Sequence, residues 1–335
     1  MNLVSINYSI IIPVYNRPQE LEELLDSLVA QTFATIFEVI VVEDGSANTS
    51  KKVVNSYSDI LNVHYFVKDN SGPGLSRNFG MQKATGDYFI ILDSDCILPS
   101  TYLQEVDIAL KHNFTDAFGS KDASHPSFSN IQKAINYSMT SVLTTGGIRG
   151  HKKAASKFQP RSFNMGLSKV AFEKTNGFGS QRFGEDIELS FRLWQIGFES
   201  QFIEKAFVFH KRRTNWESFF KQTFNFGAAR PILNVQHSAT SKITYWFPSL
   251  FMVGLLFSII VYFFNFKMFL YGYILYFILI FFGSLIANKN PFVAMTSMYA
   301  TLVQFLGYGL GFLRSTFRLY ILKKSVKDTF PRMFS

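Results

Sequence analysis

Apolar residues follow two different patterns along the chain. Over roughly the first two-thirds, short β-branched runs alternate with stretches in which leucine recurs every three or four positions. Residues 8–13 (Tyr-Ser-Ile-Ile-Ile-Pro) form one such run and predict a strand ending at a proline. Asn16 as a cap and Pro18 in a first turn then predict a helix, with Leu21, Leu24, Leu25, Leu28 and Val29 on one face. A second strand over residues 37–42 stops at Glu43-Asp44-Gly45-Ser46. A third, near residues 63–67, leads through Ser71-Gly72-Pro73-Gly74 into a helix over about 74–84. A fourth, over residues 88–92, stops at Asp93-Ser94-Asp95. Such alternation predicts an α/β fold, a mostly parallel Rossmann-like sheet with helices on both faces. Ligands of such folds bind beyond the carboxyl ends of the strands, where this chain places Tyr15, Asp44, Asp93 and Asp95.

The last third reads differently. No charged residue occurs from Trp246 to Phe264, nor from Met268 to Ala287, and each stretch is about the ~20 residues a helix needs to cross a bilayer. Asn265, Phe266 and Lys267 between them suit a helical hairpin. A third uncharged stretch, Phe292 to Leu313, is interrupted by Thr296, Ser297, Thr301, Gln304 and three glycines. Two to three transmembrane helices are therefore expected over residues 241–313. Arg314, Arg318, Lys323, Lys324, Lys327 and Arg332 follow, whereas the inter-span loops carry Lys267 and Lys289, which predicts a cytoplasmic basic tail over residues 314–335. A cytoplasmic N-terminal domain then requires an even number of spans. The first apolar run, Ile10 to Ile12, is too short for a signal peptide, so the soluble part, residues 1–213, is expected to stay where it is made. Residues 214–240 form the expected linker. Trp216, Phe219, Phe220 and Phe224 share one helical face there, suiting either a membrane-interface helix that presents the active site to a lipid or an ordinary packed helix.

Composition narrows the class. Of 335 residues, 47% are hydrophobic and 17% charged, with 38 Phe, which excludes disorder. A mean hydropathy of +0.11 excludes a chain embedded throughout. The single Cys96 excludes a disulfide framework and a cysteine-rich zinc site. The net charge of +9 suits an anionic membrane leaflet; no nucleic-acid module accompanies it, and no nucleic-acid partner is expected.

Chemistry concentrates at the strand ends. Asp93 and Asp95, two apart, repel each other unless a cation intervenes, and Mg²⁺ or Mn²⁺ shared with substrate phosphates meets that need. Asp44 could accept hydrogen bonds from a nucleobase or ribose, and Arg77, after the flexible glycine segment, could reach an anion or base edge. Glu185 and Asp186 open a helix continuing through Leu189, Leu193 and Trp194; an acid in that first turn is favoured by the helix dipole and suits a proton acceptor. His210 follows an apolar strand and precedes Lys211-Arg212-Arg213, so it is either a structural histidine or a ligand.

Taken in order, Ser9-Ile10-Ile11-Ile12-Pro13-Val14-Tyr15-Asn16-Arg17, Glu43-Asp44-Gly45-Ser46, Leu75-Ser76-Arg77-Asn78, Leu92-Asp93-Ser94-Asp95, Asn164-Met165-Gly166 and Phe183 to Leu189 resemble family 2 glycosyltransferases over about residues 8–230. The chain looks most like the membrane-anchored bacterial branch that builds exopolysaccharide or lipid-linked saccharides. That resemblance implies a GT-A fold and an inverting, metal-dependent transfer from a nucleotide-diphosphate sugar. It implies that Pro13, Tyr15, Asp44, Arg77 and Asp93 bind the donor nucleotide, and that Asp95 and His210 hold the divalent metal. By the same analogy Asp186 is the general base with Glu185 beside it, and Asn164 belongs to the donor/acceptor loop. Trp216, Phe220 and Phe224 would lie at the membrane interface. The implied acceptor is a membrane-presented, polyprenyl-diphosphate-linked saccharide at the bacterial inner membrane; alternatives are direct transfer to polyprenyl monophosphate, or a non-catalytic nucleotide-sugar-binding scaffold. Leu189-Ser190-Phe191-Arg192-Leu193-Trp194 lacks the Gln-x-x-Arg-Trp pattern of processive synthases, which favours adding a single sugar.

Overall fold

The computed structural model of the chain describes residues 6–146 and 158–334. These divide into two compact units, one comprising Met1–Ala123 with Gly150–His210, the other Ser124–Arg149 with Lys211–Ser335. Of the described residues, 124–146 fall in the second unit.

The first unit alternates strand and helix: β1 (Tyr8–Val14), α1 (Pro18–Val29), β2 (Glu38–Asp44), α2 (Lys51–Ser56), β3 (Asn62–Lys68), α3 (Pro73–Lys83) and β4 (Tyr88–Leu92). There follow β5 (Cys96–Ile97), α4 (Tyr102–His112), β6 (Ala117–Gly119) and β7 (Asp122–Ala123). Two short helices, α5 (Asn130–Thr140) and α6 (Val142–Thr145), belong to the second unit. The first unit then resumes with β8 (Asn164–Ser168), α7 (Lys169–Thr175), α8 (Glu185–Gln195), β9 (Ser200–Phe202) and β10 (Val208–His210). Seven strands form one sheet in the order β3-β2-β1-β4-β8-β6-β9, and β5-β10-β7 form a small second sheet. β1 to β4 run parallel, whereas β8 is antiparallel to both its neighbours, so the sheet is mixed. Ile10, Ile12, Val39, Val41 and Ile90 are buried against α1 and α4 on one face; Ile11, Ile40, Val42, Phe89 and Ile91 face the other side with Met81 and Leu189. This two-sided burial is why the strands read as unbroken apolar runs.

The order 3-2-1-4 reverses direction between β1 and β4, the switch point where open α/β sheets bind ligands. Their pairing ends at Ile11 and Ile91, while β1 stays paired with β2 as far as Val14 and Glu43. A crevice therefore opens beyond Ile91, flanked by Tyr15 to Arg17 on one side and Asp93 to Asp95 on the other.

The second unit adds four long helices: α9 (Trp216–Gln236), α10 (Phe247–Tyr262), α11 (Met268–Asn288) and α12 (Pro291–Thr316). Among the described residues, two helical segments are long and apolar enough to cross a membrane, Ile243–Tyr262 and Met268–Asn288. Leu256, Phe257, Ile260, Phe263, Phe264, Phe266 and Met268 are exposed along this hairpin and its tip. The third apolar stretch forms α12, yet Val293, Ala294, Ser297, Ala300, Thr301 and Phe305 are buried within the unit. Its glycines explain how. A Cβ on Gly307 would strike the Thr223 hydroxyl, one on Gly311 the Phe224 carbonyl, and one on Gly227 the Tyr308 carbonyl. α9 and α12 thus touch backbone to backbone, the small-residue packing that also joins helices in lipid.

Candidate functional site

At the end of β1, Asn16 adopts a left-handed φ of 55°. Its N–H donates to the Ser46 hydroxyl at 2.8 Å, and its amide oxygen accepts from the Asn48 N–H at 2.9 Å, which pins the turn to the loop after β2. Tyr15 stands 52% exposed at the crevice rim, and Pro13 is half-buried within β1. Arg17 follows and pairs through its guanidinium with Asp95.

Asp44 ends β2 almost fully buried. One carboxylate oxygen accepts from the Lys68 ammonium at 2.8 Å and the Ser71 N–H at 2.9 Å, the other from the Gly72 N–H at 3.0 Å. Burial alone would raise its pKa, but these donors win and hold it below the ordinary value. Its immediate work is to fold the 69–72 loop back onto the sheet edge. Gly72, at φ 90°, supplies the left-handed turn that starts α3 there.

Arg77 on α3, expected to reach an anion or base edge, lies between two carboxylates. It is 2% exposed and donates to Asp93 at 2.6 Å and to Glu185 at 2.9 Å, with its guanidinium over the Phe178 ring. It ties the acid beyond β4 to the first turn of α8. The next residue, Asn78, donates to the Phe178 carbonyl and accepts from the Phe178 N–H, both at 2.8 Å, fixing the loop that delivers α8. The Leu75-Ser76-Arg77-Asn78 segment is therefore a clamp between two parts of the site.

Glu185 and Asp186 are adjacent but differently placed. Glu185 is turned inward to Arg77. Burial and the neighbouring Asp186 push its pKa up to about 7 against the pull of Arg77, which is shared with Asp93. Glu185, expected beside the base near the acceptor, is buried and anchors the first turn of α8 to Arg77. Asp186 sits largely enclosed in that first turn; one carboxylate oxygen accepts from the Ser162 N–H at 3.3 Å and the other from the Ile187 N–H at 2.8 Å, and the Arg161 guanidinium lies 3.9 Å away.

Asn164, expected in the donor/acceptor loop, lies inside the fold. As the first residue of β8 it is fully buried, accepting from the Tyr102 hydroxyl at 2.6 Å and donating to the Ala206 carbonyl at 2.8 Å. These two bonds brace the start of β8. Trp216, Phe220 and Phe224 lie half-buried on α9; Trp216 meets Tyr299 of α12 edge-on, and the Arg314 guanidinium covers Phe224. The contacts recorded for these rings are those of helix packing.

The small sheet assembles the expected metal pair. Cys96 of β5 lies opposite His210 of β10, which brings Asp95 and His210 together across more than a hundred residues. Asp95 Oδ1 and His210 Nε2 are 3.1 Å apart, and the Cys96 thiol lies in the same cluster. Two ligands at right angles on one cation, each about 2.1 Å from it, stand about 3 Å apart, so the pair fits. Cys96 does not serve: burial pushes its thiol well up, and it contacts the Phe163 carbonyl at 3.4 Å. An oxygen-plus-imidazole set suits Mn²⁺ or Mg²⁺ completed by phosphate oxygens. Phe163 stacks on the His210 ring at 4.7 Å, and Asp122 approaches its other nitrogen at 3.9 Å. Arg17, Lys68, Asp122, Arg161 and Phe178 had no motif to announce them; Arg17 alone stood inside a quoted segment.

Residues 9–176 match the model of Glycosyl transferase family 2. An uncharacterised glycosyltransferase of Rickettsia typhi is 44% identical over 87 residues, 26% of this chain and 26% of that one. The poly(ribitol-phosphate) β-N-acetylglucosaminyltransferase TarS of Staphylococcus aureus is 33% identical over 112 residues, 32% of this chain and 20% of TarS. The chain thus spans about a fifth to a quarter of the length of these curated relatives. A mannosyltransferase of Pyrobaculum calidifontis, solved in complex with GDP-Man and Mn²⁺, superposes with a TM-score of 0.54 at 16% identity, covering 92% of this chain and 89% of that one.

Proposed function

The chain belongs to glycosyl transferase family 2 and is a glycosyltransferase; on that premise we propose that it moves a single sugar from a nucleotide-diphosphate sugar, with inversion, to a membrane-presented saccharide carried on polyprenyl diphosphate. The observation that carries this reading is that Arg77 ties Asp93, beyond β4, to Glu185, next to Asp186 in the first turn of α8, while Asp95, two residues along from Asp93, meets Arg17 and His210. Tyr15 and the loop organised by Asp44 form the rim that receives the nucleoside. Asp95 and His210 would hold a divalent cation, which when bound neutralises the donor's diphosphate. Asp186, in the first turn of α8, accepts the proton of an acceptor hydroxyl as that oxygen attacks the anomeric carbon. The bond to the diphosphate breaks on the opposite face, and no covalent intermediate on the protein is required.

The exposed apolar hairpin of α10 and α11 supports a membrane location, and two crossings leave both chain ends on one side, in keeping with the basic tail. In the bacterial inner membrane this orientation makes the catalytic unit cytoplasmic. The test is purified full-length chain offered a panel of nucleotide sugars with Mn²⁺ or Mg²⁺, with and without polyprenyl-diphosphate-linked saccharides, the lipid product being identified by mass spectrometry. Metal-dependent formation of a saccharide longer by one sugar is expected. Glycosylated polyprenyl monophosphate as the product would move the assignment to direct lipid charging, and no donor turnover with any nucleotide sugar would refute it.

A further inference from the structure

The Arg17–Asp95 ion pair sits where the proposed metal would bind. Asp95 has two partners at once: the Arg17 guanidinium contacts Oδ2, while His210 Nε2 lies 3.1 Å from Oδ1. Arg17 is half-buried at the N-terminal end of α1, on the turn that Asn16 pins to the loop after β2. Its backbone is held on the β1 side of the crevice, and its long side chain crosses to the β4 side. Asp93 and Glu20 add to the negative field around it.

We propose that Arg17 is the resident counter-ion of Asp95, released to the donor's diphosphate when a divalent cation takes that carboxylate. The inference rests on the metal and donor reading above. Two positive groups on one carboxylate repel each other, so cation and guanidinium compete for Asp95 when no nucleotide is present. A nucleotide reverses the relation. Its phosphate oxygens give the displaced guanidinium a planar, bidentate partner beside the same cation, so Arg17 and the metal cooperate. The nucleoside diphosphate leaves with one more negative charge than it carried as the sugar ester. With Asp95 offsetting part of the cation's charge, Arg17 supplies the further positive group that the growing charge requires.

This exchange has a signature that a structural role does not share: the two affinities move in opposite directions when Arg17 loses its charge. In full-length Arg17→Gln, Mn²⁺ binding without nucleotide, followed by the electron paramagnetic resonance of free Mn²⁺, should tighten roughly three- to tenfold. Binding of UDP or GDP at saturating Mn²⁺, by calorimetry, should weaken about tenfold or more. Arg17→Lys should fall between the two for both quantities, with an unfolding midpoint matching the unsubstituted chain. Weakening of both affinities in Arg17→Gln, or no change in either, overturns the exchange while leaving the metal reading intact. Failure of the unsubstituted chain to bind Mn²⁺, with or without UDP or GDP, overturns the metal reading and this inference with it.

Discussion

Glu185 offers a quantitative test of how the site is held. Its carboxylate is 2.9 Å from Arg77, the geometry of an ion pair, yet it is 6% exposed and shares Arg77 with Asp93. With the pKa raised from 4.5 to about 7, the folded chain holds a proton on Glu185 that the unfolded chain has lost over that interval. Stability therefore falls as pH rises from about 4.5 to 7, and the cost is fully present above that. Glu185→Gln keeps the shape and an oxygen for Arg77 while removing the titration. Relative to the unsubstituted chain, it should gain about 1 kcal/mol at pH 5 and about 3 kcal/mol at pH 8. Urea unfolding of the full chain in detergent, followed by far-ultraviolet circular dichroism at the two pH values, reads the difference. An equal loss at both values would show a permanently ionised partner of Arg77 and refute the reasoning.

Asp186→Asn should lower transfer by about a thousandfold while donor affinity stays within a factor of about two; a matching loss of donor affinity would move Asp186 from proton transfer to binding. Arg77→Met leaves Asp93 and a buried Glu185 without their shared cation, and should cost about 3–5 kcal/mol in the same unfolding assay. Less than 1 kcal/mol would mean that Phe178 and the loop hold α8 by themselves. Gly227→Ala and Gly311→Ala each drive a methyl group into a facing backbone carbonyl, and should destabilise by about 1–3 kcal/mol. Gly272→Ala, inside α11 with open space around its Cβ position, is the clash-free control in the same urea unfolding and should cost nothing.

The strand-end acids were legible in the sequence because strand period and turn chemistry are local. A run such as Tyr88 to Leu92 must end at a carboxyl edge, and polar residues clustered at several such edges mark a common rim. Partners were not legible, because pairing depends on which elements the chain crossing brings together. Arg77 reads as an exposed helix charge from its neighbours; the antiparallel entry of β8 and the loop held by Asn78 bring α8 over it and bury it. Asn164 illustrates the converse. A polar residue opening a strand invites a ligand role, but Tyr102 and Ala206, 62 and 42 residues distant, consume both ends of its amide. His210 and Asp95 meet only because a three-stranded sheet sets β10 against β5, and strands of two or three residues leave no periodic trace.

The third apolar stretch shows why one sequence feature can carry opposite meanings. Glycine lowers helix propensity, and Thr, Ser and Gln lower hydropathy, so Phe292 to Leu313 reads as a weak span. Those same residues suit a helix enclosed by other helices. Ser297 shares a hydrogen bond with Ser284 of α11 at 2.7 Å, Thr301 returns its hydroxyl to the Ser297 carbonyl, and Gly307 and Gly311, one turn apart, admit the backbone of α9. Gly309, on another side, admits the backbone of α10 at Ser249. A helix that leaves its apolar face uncovered has no use for close backbone approach and carries long side chains instead, as the exposed Phe, Leu and Ile of α10 and α11 show. The polarity that weakens the hydropathy signal is thus what lets α12 join α9 to the hairpin.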